Sequence, residues 1–306
     1  MKVSVVLATY NGEKYIERQI ESILSQSRNP DEIVVSDDGS TDTTMSILEK
    51  YRSDYQEISW IFLKNKKSGF VSNFLNGIEH AHGEVIFLSD QDDEWKKNKI
   101  ETHLAVYNQY PDALLLHGEI DIVDIQGNLL KKGSQGYSDE IKKIEFMDFL
   151  HKPNYPGMSI SFKQSIFVES SDFFIENFEN IHTHDYYLVM IAATRNGLYS
   201  IGRSLSDRTF TGKNVALTMN DNNKTNRSKR IESSQININQ LTLTIRFLQK
   251  YMQDSKKINQ TEKILNFQIL RKKFLMKKSI INNLKYFFCC LKVGRLKTYF
   301  ADAVSF

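Results

Sequence analysis

Cysteine is nearly missing from this 306-residue chain, and the two present, Cys289 and Cys290, are adjacent. Neighbouring cysteines cannot staple distant segments, so a disulfide framework is excluded and a reducing, cytosolic setting is expected. Long hydrophobic runs are missing too. No stretch approaches the ~18 uncharged apolar residues of a membrane span, and Val3-Ser4-Val5-Val6-Leu7-Ala8 is too short for a secretory leader. The glycine-rich phosphate cradles, GxGxxG and the Walker loop, are absent, which disfavours a dehydrogenase or a P-loop enzyme. No internal repeat occurs, and no nucleic-acid motif accompanies the basic residues.

Acidic residues are scarce in the tail. The chain as a whole carries +3, but from Lys224 onward 18 Lys and Arg stand against 4 Asp and Glu, a net of +14. Residues 1–223 carry a net of −11. This asymmetry, with the Asn- and Lys-rich stretch Asn214–Arg230 between the two parts, predicts a boundary between residues 1–215 and a basic extension over 216–306.

Apolar runs and turn signals then order the front of the chain. Lys2 to Thr9, Glu32 to Ser36, Ile58 to Leu63 and Val85 to Leu88 read as strands. Between them, Ile16, Ile20, Ile23 and Leu24 share one helix face, as do Met45, Leu48 and Tyr51, and Val71, Phe74, Leu75 and Ile78. Strands alternating with helices of this length predict βαβ units and an α/β fold with a mainly parallel sheet. Lys96 to Tyr107 reads as a helix, Ala113 to Leu116 and Glu119 to Ile125 as two strands, and residues 138–150 as helical.

Chemistry concentrates at the ends of these strands. Ser89-Asp90-Gln91-Asp92-Asp93-Glu94-Trp95 follows directly on a buried run. In an open parallel sheet, ligands bind beyond the carboxyl ends of the strands. Carboxylates gathered there repel one another unless a cation neutralises them, and hard oxygen ligands suit Mg²⁺ or Mn²⁺. The competing reading is a helix N-cap with an acidic first turn. Asp37-Asp38-Gly39-Ser40-Thr41-Asp42 ends the second strand at the same edge. There Asp37 and Asp38 could accept hydrogen bonds from a base or a ribose, or the segment could simply cap the next helix.

Three motifs in order, Ala8-Thr9-Tyr10-Asn11-Gly12, Ser36 to Asp42 and Ser89 to Trp95, resemble the family 2 glycosyltransferases of the GT-A fold. The likeness is to bacterial enzymes of O-antigen, capsule and exopolysaccharide assembly, and it covers about residues 1–215. It implies a nucleotide-sugar half near 1–110, an acceptor half near 111–215, and a mixed, mainly parallel sheet flanked by helices. It also implies that Thr9, Tyr10, Asn11, Asp37, Asp38, Asp90 and Gln91 serve the donor, with Asp90, Asp92 and Asp93 as the candidate metal group. Gly157, Met158 and Ser159, in a turn before a strand at Ile160–Phe162, stand where the family has a loop facing the acceptor. A plain hairpin turn is the equal alternative. Trp95 and His184 are assigned to the same acceptor side.

His184-Asp185 opens a helix containing Leu188, Ile191 and Ala192, and it resembles the His-Asp or Glu-Asp pair whose Asp is the general base of the family. A carboxylate placed there can take the proton of an attacking hydroxyl, while helix capping is the structural alternative. His182 and His184 default to the surface. The family segment Tyr-Arg-Gln-His, followed by Gly and Asn-Val, stands here as Asp207-Arg208-Thr209-Phe210 with Gly212 and Asn214-Val215 kept. Arg208 suits a diphosphate, and a phenylalanine replaces the histidine.

The tail reads as helical, with Leu241, Ile245, Leu248, Ile264, Phe267, Leu270 and Phe274 recurring on helix faces. Lys and Arg at 271–273 and 277–278 precede Tyr286-Phe287-Phe288, a composition that suits an anionic membrane surface, a packed helical surface or a partner. The resemblance implies an inverting, metal-dependent glycosyltransferase. It would move a sugar from a UDP- or dTDP-linked donor to a lipid-linked glycan, at the inner face of the plasma membrane. The alternatives are a catalytically weak nucleotide-sugar-binding scaffold and a nucleotidyltransferase.

Overall fold

The computed structural model describes residues 1–133, 138–210, 227–277 and 279–304, which form two compact units. The first unit holds Met1–Glu145, Pro153–Phe174 and Thr183–Phe210. Its opening elements follow the expected alternation: β1 (Val3–Thr9), α1 (Ile16–Leu24), β2 (Glu32–Asp37), α2 (Thr44–Asp54), β3 (Ser59–Lys64), α3 (Phe70–Glu79) and β4 (Val85–Ser89). Then come β5 (Asp93–Trp95), α4 (Lys99–Gln109), β6 (Leu115–Val123), β7 (Leu129–Lys131) and β8 (Ile141–Lys143). After α5 (Phe146–His151), which belongs to the second unit, the chain continues through β9 (Ile160–Lys163), α6 (Gln164–Val168) and α7 (Ser171–Asn177). It closes this unit with α8 (His184–Thr194) and β10 (Leu198–Thr209).

The strands form one sheet in the order β3-β2-β1-β4-β9-β6-β10-β5, with β7 on β6 and β8 on β10. β1 through β4 are mutually parallel, β6 and β10 are parallel, and β9 runs antiparallel to both its neighbours. The chain adds β2 and β3 on one side of β1, then crosses to place β4 on the other. That reversal is the topological switch point, where an open α/β sheet leaves a crevice at its strand ends. The central strands are buried along their length, which explains why they read as unbroken apolar runs. Ile16, Ile20 and Ile23 of α1 and Leu48 of α2 join Val5, Ile33, Val35 and Phe87 in the core.

Three expectations are corrected. Ala113–Leu116 and Glu119–Ile125 are not two strands but the single β6, because His117-Gly118 continues the ladder. A Cβ on Gly118 would lie 3.1 Å from Leu205 Cδ1, so this glycine serves close approach of β10 and not a turn. Residues 138–150 are not one helix: Ile141–Lys143 pairs with Tyr199–Ile201 as β8, and helix begins only at Phe146. The helix expected from Lys96 starts at Lys99, because Asp93–Trp95 is drawn into pairing with β10.

The second unit holds Phe146–Lys152, Ile175–His182 and the basic tail. The extension expected over 216–306 is thus joined by two segments from mid-chain, because their apolar and charged side chains find partners there. Lys257 lies over the Phe146 ring at 5.4 Å, Arg295 donates to His151 O at 2.8 Å, and Lys250 pairs with Glu176 at 2.7 Å. The tail is helical as expected: α9 (Arg227–Phe247), a π-helical turn over Leu248–Met252, α10 (Ser255–Met276), α11 (Ile280–Lys292) and α12 (Leu296–Ala303). Its core gathers Phe267, Phe274, Leu275, Tyr286, Cys289 and Cys290. Both cysteines are free thiols.

Candidate functional site

The ends of β1 and β2 are tied together before any ligand is considered. Thr9 Oγ1 donates to Asp37 Oδ1 at 2.8 Å, and Asp37 also accepts from the Ser40 hydroxyl and from the backbone N–H groups of Gly39 and Ser40. Gly39 takes φ of 90°, a left-handed conformation that glycine adopts without steric penalty. Asp38 holds Asn65 Nδ2 at 2.7 Å and the Gly69 N–H at 2.9 Å, at the entrance to α3. Both aspartates therefore sit at the expected edge, with carboxylates already bonded to the protein. Asn11 adopts φ of 47° and accepts from the Thr41 N–H, while its own N–H donates to Ser40 Oγ.

Gln91 closes the crevice between the β1 and β4 loops. Its Oε1 accepts from the Tyr10 N–H at 2.8 Å and its Nε2 donates to Tyr10 O at 3.0 Å. A Cβ on Gly12 would meet Gln91 Oε1 at 2.4 Å, so the clasp needs glycine there. The Tyr10 side chain, held by this clasp at its backbone, is exposed.

The acidic turn divides its aspartates. Asp90 and Asp92 keep part of their surface exposed, whereas Asp93 turns inward on β5, opposite Arg208 of β10. Burial pushes Asp90 up to about 6, with Asp92 adding to the push and Arg208 opposing it. Burial raises Asp92 as well, and it carries Asp93 well above the carboxylate range, with Asp90 and Asp92 contributing. Beneath them Lys99 is fully buried, donating to Met158 O at 2.5 Å and Ser206 Oγ at 3.0 Å, with its ammonium 3.9 Å from the Trp95 ring centre. Burial pulls this lysine down to about 7, against the opposing charges of Asp93 and Asp90. Lys99 went unrecognised in the sequence because the run Lys96-Lys97-Asn98-Lys99 has the composition of a solvated helix start. Arg18 is a second omission: it pairs with Glu94 at 3.3 Å, bonds Thr209 Oγ1, and acts electrostatically on Asp92.

Among the described residues, no three carboxylate, imidazole or thiolate groups converge into a metal cage. Asp93 faces inward because β5 pairs with β10, so the expected three-aspartate group reduces to Asp90 and Asp92 on the open side. Two partly exposed carboxylates whose pKa is raised chiefly by burial fit a hard divalent ion that completes its shell with phosphate oxygens and water.

The head of α8 brings Asp185 into the same electrostatic field, since its charge contributes to raising Asp90. The cap is Thr183, whose hydroxyl accepts from the Tyr186 N–H at 3.3 Å, and Asp185 Oδ1 accepts from that same N–H at 2.6 Å. His184 is not at the surface. Its ring stacks on Phe74 at 4.0 Å and meets Phe70 edge-on at 6.2 Å. Neither ring nitrogen has a hydrogen-bond partner among the described residues, and burial lowers the imidazole to about 4, so it is neutral. His182 is exposed, as expected.

Gly157, Met158 and Ser159 form a 3₁₀ turn that is buried, not an exposed loop. Gly157 abuts His184 Nε2, Met158 O takes the Lys99 ammonium, and Ser159 Oγ donates to Pro156 O while bonding His117 Nδ1 at 2.7 Å. The three residues support the site from below. Trp95, also assigned to an acceptor, lies in the core against Phe87, because β5 turns its side chain inward. Arg208 is half-exposed and Phe210 exposed, while Gly212 and Asn214-Val215 lie outside the described residues.

Comparison with known proteins bears on the family and the fold. The sequence model described as "Glycosyl transferase family 2" matches residues 4–175. A dTDP-rhamnosyl transferase RfbG of Shigella flexneri is 30% identical over 204 residues, covering 64% of this chain and 68% of that protein. A GalNAc(5)-diNAcBac-PP-undecaprenol beta-1,3-glucosyltransferase of Campylobacter jejuni is 32% identical over 149 residues, covering 49% of this chain and less than half, 47%, of its own length. The crystal structure of S. aureus TarS 1-349 in complex with UDP-GlcNAc superposes with a TM-score of 0.61 at 17% identity, over 99% of this chain and 84% of that one. The switch-point crevice, its acidic turn and the family match over more than half its length place this chain in glycosyltransferase family 2, with the GT-A fold.

Proposed function

We propose that this glycosyltransferase moves one sugar, with inversion, from a UDP- or dTDP-linked donor onto a hydroxyl of a lipid-linked glycan in bacterial surface polysaccharide synthesis. The observation that carries the reading is the placing of Asp185, at the capped head of α8, within the electrostatic reach of Asp90 at the sheet's switch point. The names of the Shigella and Campylobacter relatives support a nucleotide-linked donor and a lipid-linked acceptor respectively. An acceptor of that kind puts the enzyme at the inner face of the plasma membrane.

In this reading Thr9, Asp37, Asn11 and Ser40 hold the β1 and β2 loops as a rigid floor for the nucleoside. Gln91 keeps the Tyr10 loop against the β4 turn. Asp185 takes the proton of the attacking hydroxyl, a role that needs a positioned carboxylate within bonding reach. Arg208 faces the acidic turn from β10 and stabilises negative charge as the diphosphate departs. Asp90 and Asp92 would hold Mg²⁺ or Mn²⁺, which when bound compensates the charge of the diphosphate.

Asp185→Asn tests the assignment. Asparagine keeps the oxygen that accepts from the Tyr186 N–H but cannot take a proton. Turnover should fall on the order of 10²-fold or more, while calorimetric UDP or dTDP binding, measured with and without Mn²⁺, stays as in the parent. A variant with near-parent turnover would leave Asp185 a helix residue and remove the catalytic reading.

A further inference from the structure

Most large apolar side chains of the second unit point inward, and among its described helices α11 carries the largest group that does not. It turns Tyr286, Cys289 and Cys290 into the core and leaves Ile280, Ile281, Leu284, Phe288 and Leu291 exposed. At 3.6 residues per turn, these positions fall within an arc of about 100° on one side of the helix. Ile280 is 80% and Phe288 57% exposed, so the stripe is not a seam covered by the described neighbouring helices. Single exposed apolar residues are ordinary, but a continuous stripe of large ones marks a contact surface.

The surrounding charge identifies the contact. From Lys263 to Val304 the sequence holds ten Lys and Arg and one acidic residue, Asp302. That carboxylate is buried and bonded to Arg271 and Arg230, so it offers no negative charge to the outside. Lys285 and Lys292 stand exposed beside the apolar arc, and Lys273, Lys277 and Lys297 are exposed nearby. A second copy of this chain on the stripe would bring like charges together, which disfavours self-association. An anionic bilayer complements both features, taking apolar side chains into the headgroup boundary and attracting the lysines. No described helix is long and apolar enough to cross a membrane, so contact would lie in the plane of the surface.

We infer that α11 docks the chain on an anionic phospholipid surface, with Ile280, Ile281, Leu284, Phe288 and Leu291 in the interface and Lys285 and Lys292 on the headgroups. The inference rests on the proposed membrane location and deepens it, but not on the identity of the base or of the sugar. Sedimentation of the full chain with phosphatidylcholine vesicles, with and without phosphatidylglycerol, is the test. The parent should sediment only with phosphatidylglycerol present and be released by high salt, which screens surface attraction. Leu284→Ser with Phe288→Ser should lower partitioning by at least about tenfold. Replacing Lys285, Lys292 and Lys297 by Gln should lower it on the order of 100-fold. UDP binding by calorimetry should be unchanged in both variants, which shows that they fold and keeps this test separate from the catalytic one. Absence of phosphatidylglycerol-dependent sedimentation would overturn the inference. So would full retention by the Ser variant, since the apolar stripe would then lie outside the interface. An oligomer in light scattering that the Ser variant dissolves would reassign the stripe to a protein contact.

Discussion

Gly157 has room for a hydrogen and little more. A Cβ there would lie 2.7 Å from His184 Nε2, and the His184 ring is already stacked at 4.0 Å on Phe74. The imidazole cannot retreat without moving the first residue of α8, next to Asp185. Gly157→Ala should therefore destabilise by about 1–3 kcal/mol, the usual range for overpacking, and reduce kcat while leaving nucleotide affinity intact. His184→Ala in the same background removes the clash and should recover part of both losses. A double-mutant cycle in thermal melts and kcat checks this, and strict additivity of the two changes would show that they do not touch. A neutral, buried histidine in contact with Gly157 thus reads as a positioning residue. The carboxylate that follows it stays half-exposed, where an attacking hydroxyl can reach.

At the scale of the element, α8 separates two jobs that its sequence leaves entangled. Thr183 and Asp185 are both good capping residues, and either could satisfy the first orphan N–H groups. The extended backbone of Thr183 and its bond to the Tyr186 N–H make Thr183 the cap, while Asp185 lies within the first turn. Thr183→Ala should cost about 1 kcal/mol of stability, and Thr183→Ser should be close to neutral in denaturant melts. If Asp185→Ala, which removes the accepting oxygen, proved more destabilising than Thr183→Ala, the cap would belong to Asp185. The acidic turn shows the same principle from the sheet side. β5 is only Asp93–Trp95, yet pairing with β10 faces Asp93 inward and leaves Asp90 and Asp92 at the mouth. A one-residue slip would exchange the faces and bury the wrong aspartate.

For the molecule as a whole, one carboxylate links four helices of the second unit. Asp302 of α12 accepts from Arg271 of α10 at 2.7 Å, from Arg230 of α9 at 2.5 Å and from the Tyr286 hydroxyl of α11 at 2.7 Å. Burial alone would raise this carboxyl, but the bonds from Arg271, Tyr286 and Arg230 outweigh it and hold it below its ordinary 3.8. A depressed carboxyl stabilises fully above the unfolded value, and that stability is lost as pH falls through the folded one. The second unit should therefore lose helix below pH 3.8 in circular dichroism. Asp302→Asn leaves two buried guanidinium groups without their counter-charge and should cost about 3–5 kcal/mol at neutral pH. An Asp302→Asn protein that melts like the parent at neutral pH would show the network to be dispensable.

The sequence by itself determined the alternation of strands and helices, the strand ends that carry chemistry, and the family. Unbroken runs such as Ile33-Val34-Val35 and Val85-Ile86-Phe87-Leu88 are buried on both faces, and no other placement satisfies that much apolar surface. Glycine and aspartate after those runs mark turns through local backbone preference, which needs no tertiary partner. Tertiary structure decided what burial and pairing decide. Ile141-Lys142-Lys143 became a strand only because Tyr199–Ile201 offers it a partner, and Trp95 entered the core because β5 is held by β10. Lys99 has the composition of a solvated helix start, yet it is buried beneath the acidic turn. The charges of Asp90 and Asp93, contributed from the end of β4 and from β5, compensate it there. Local sequence sets which conformations a segment prefers. Which faces are hidden, and which charges meet, depends on segments distant in the chain, because desolvation and Coulomb energy act through space and not along the backbone.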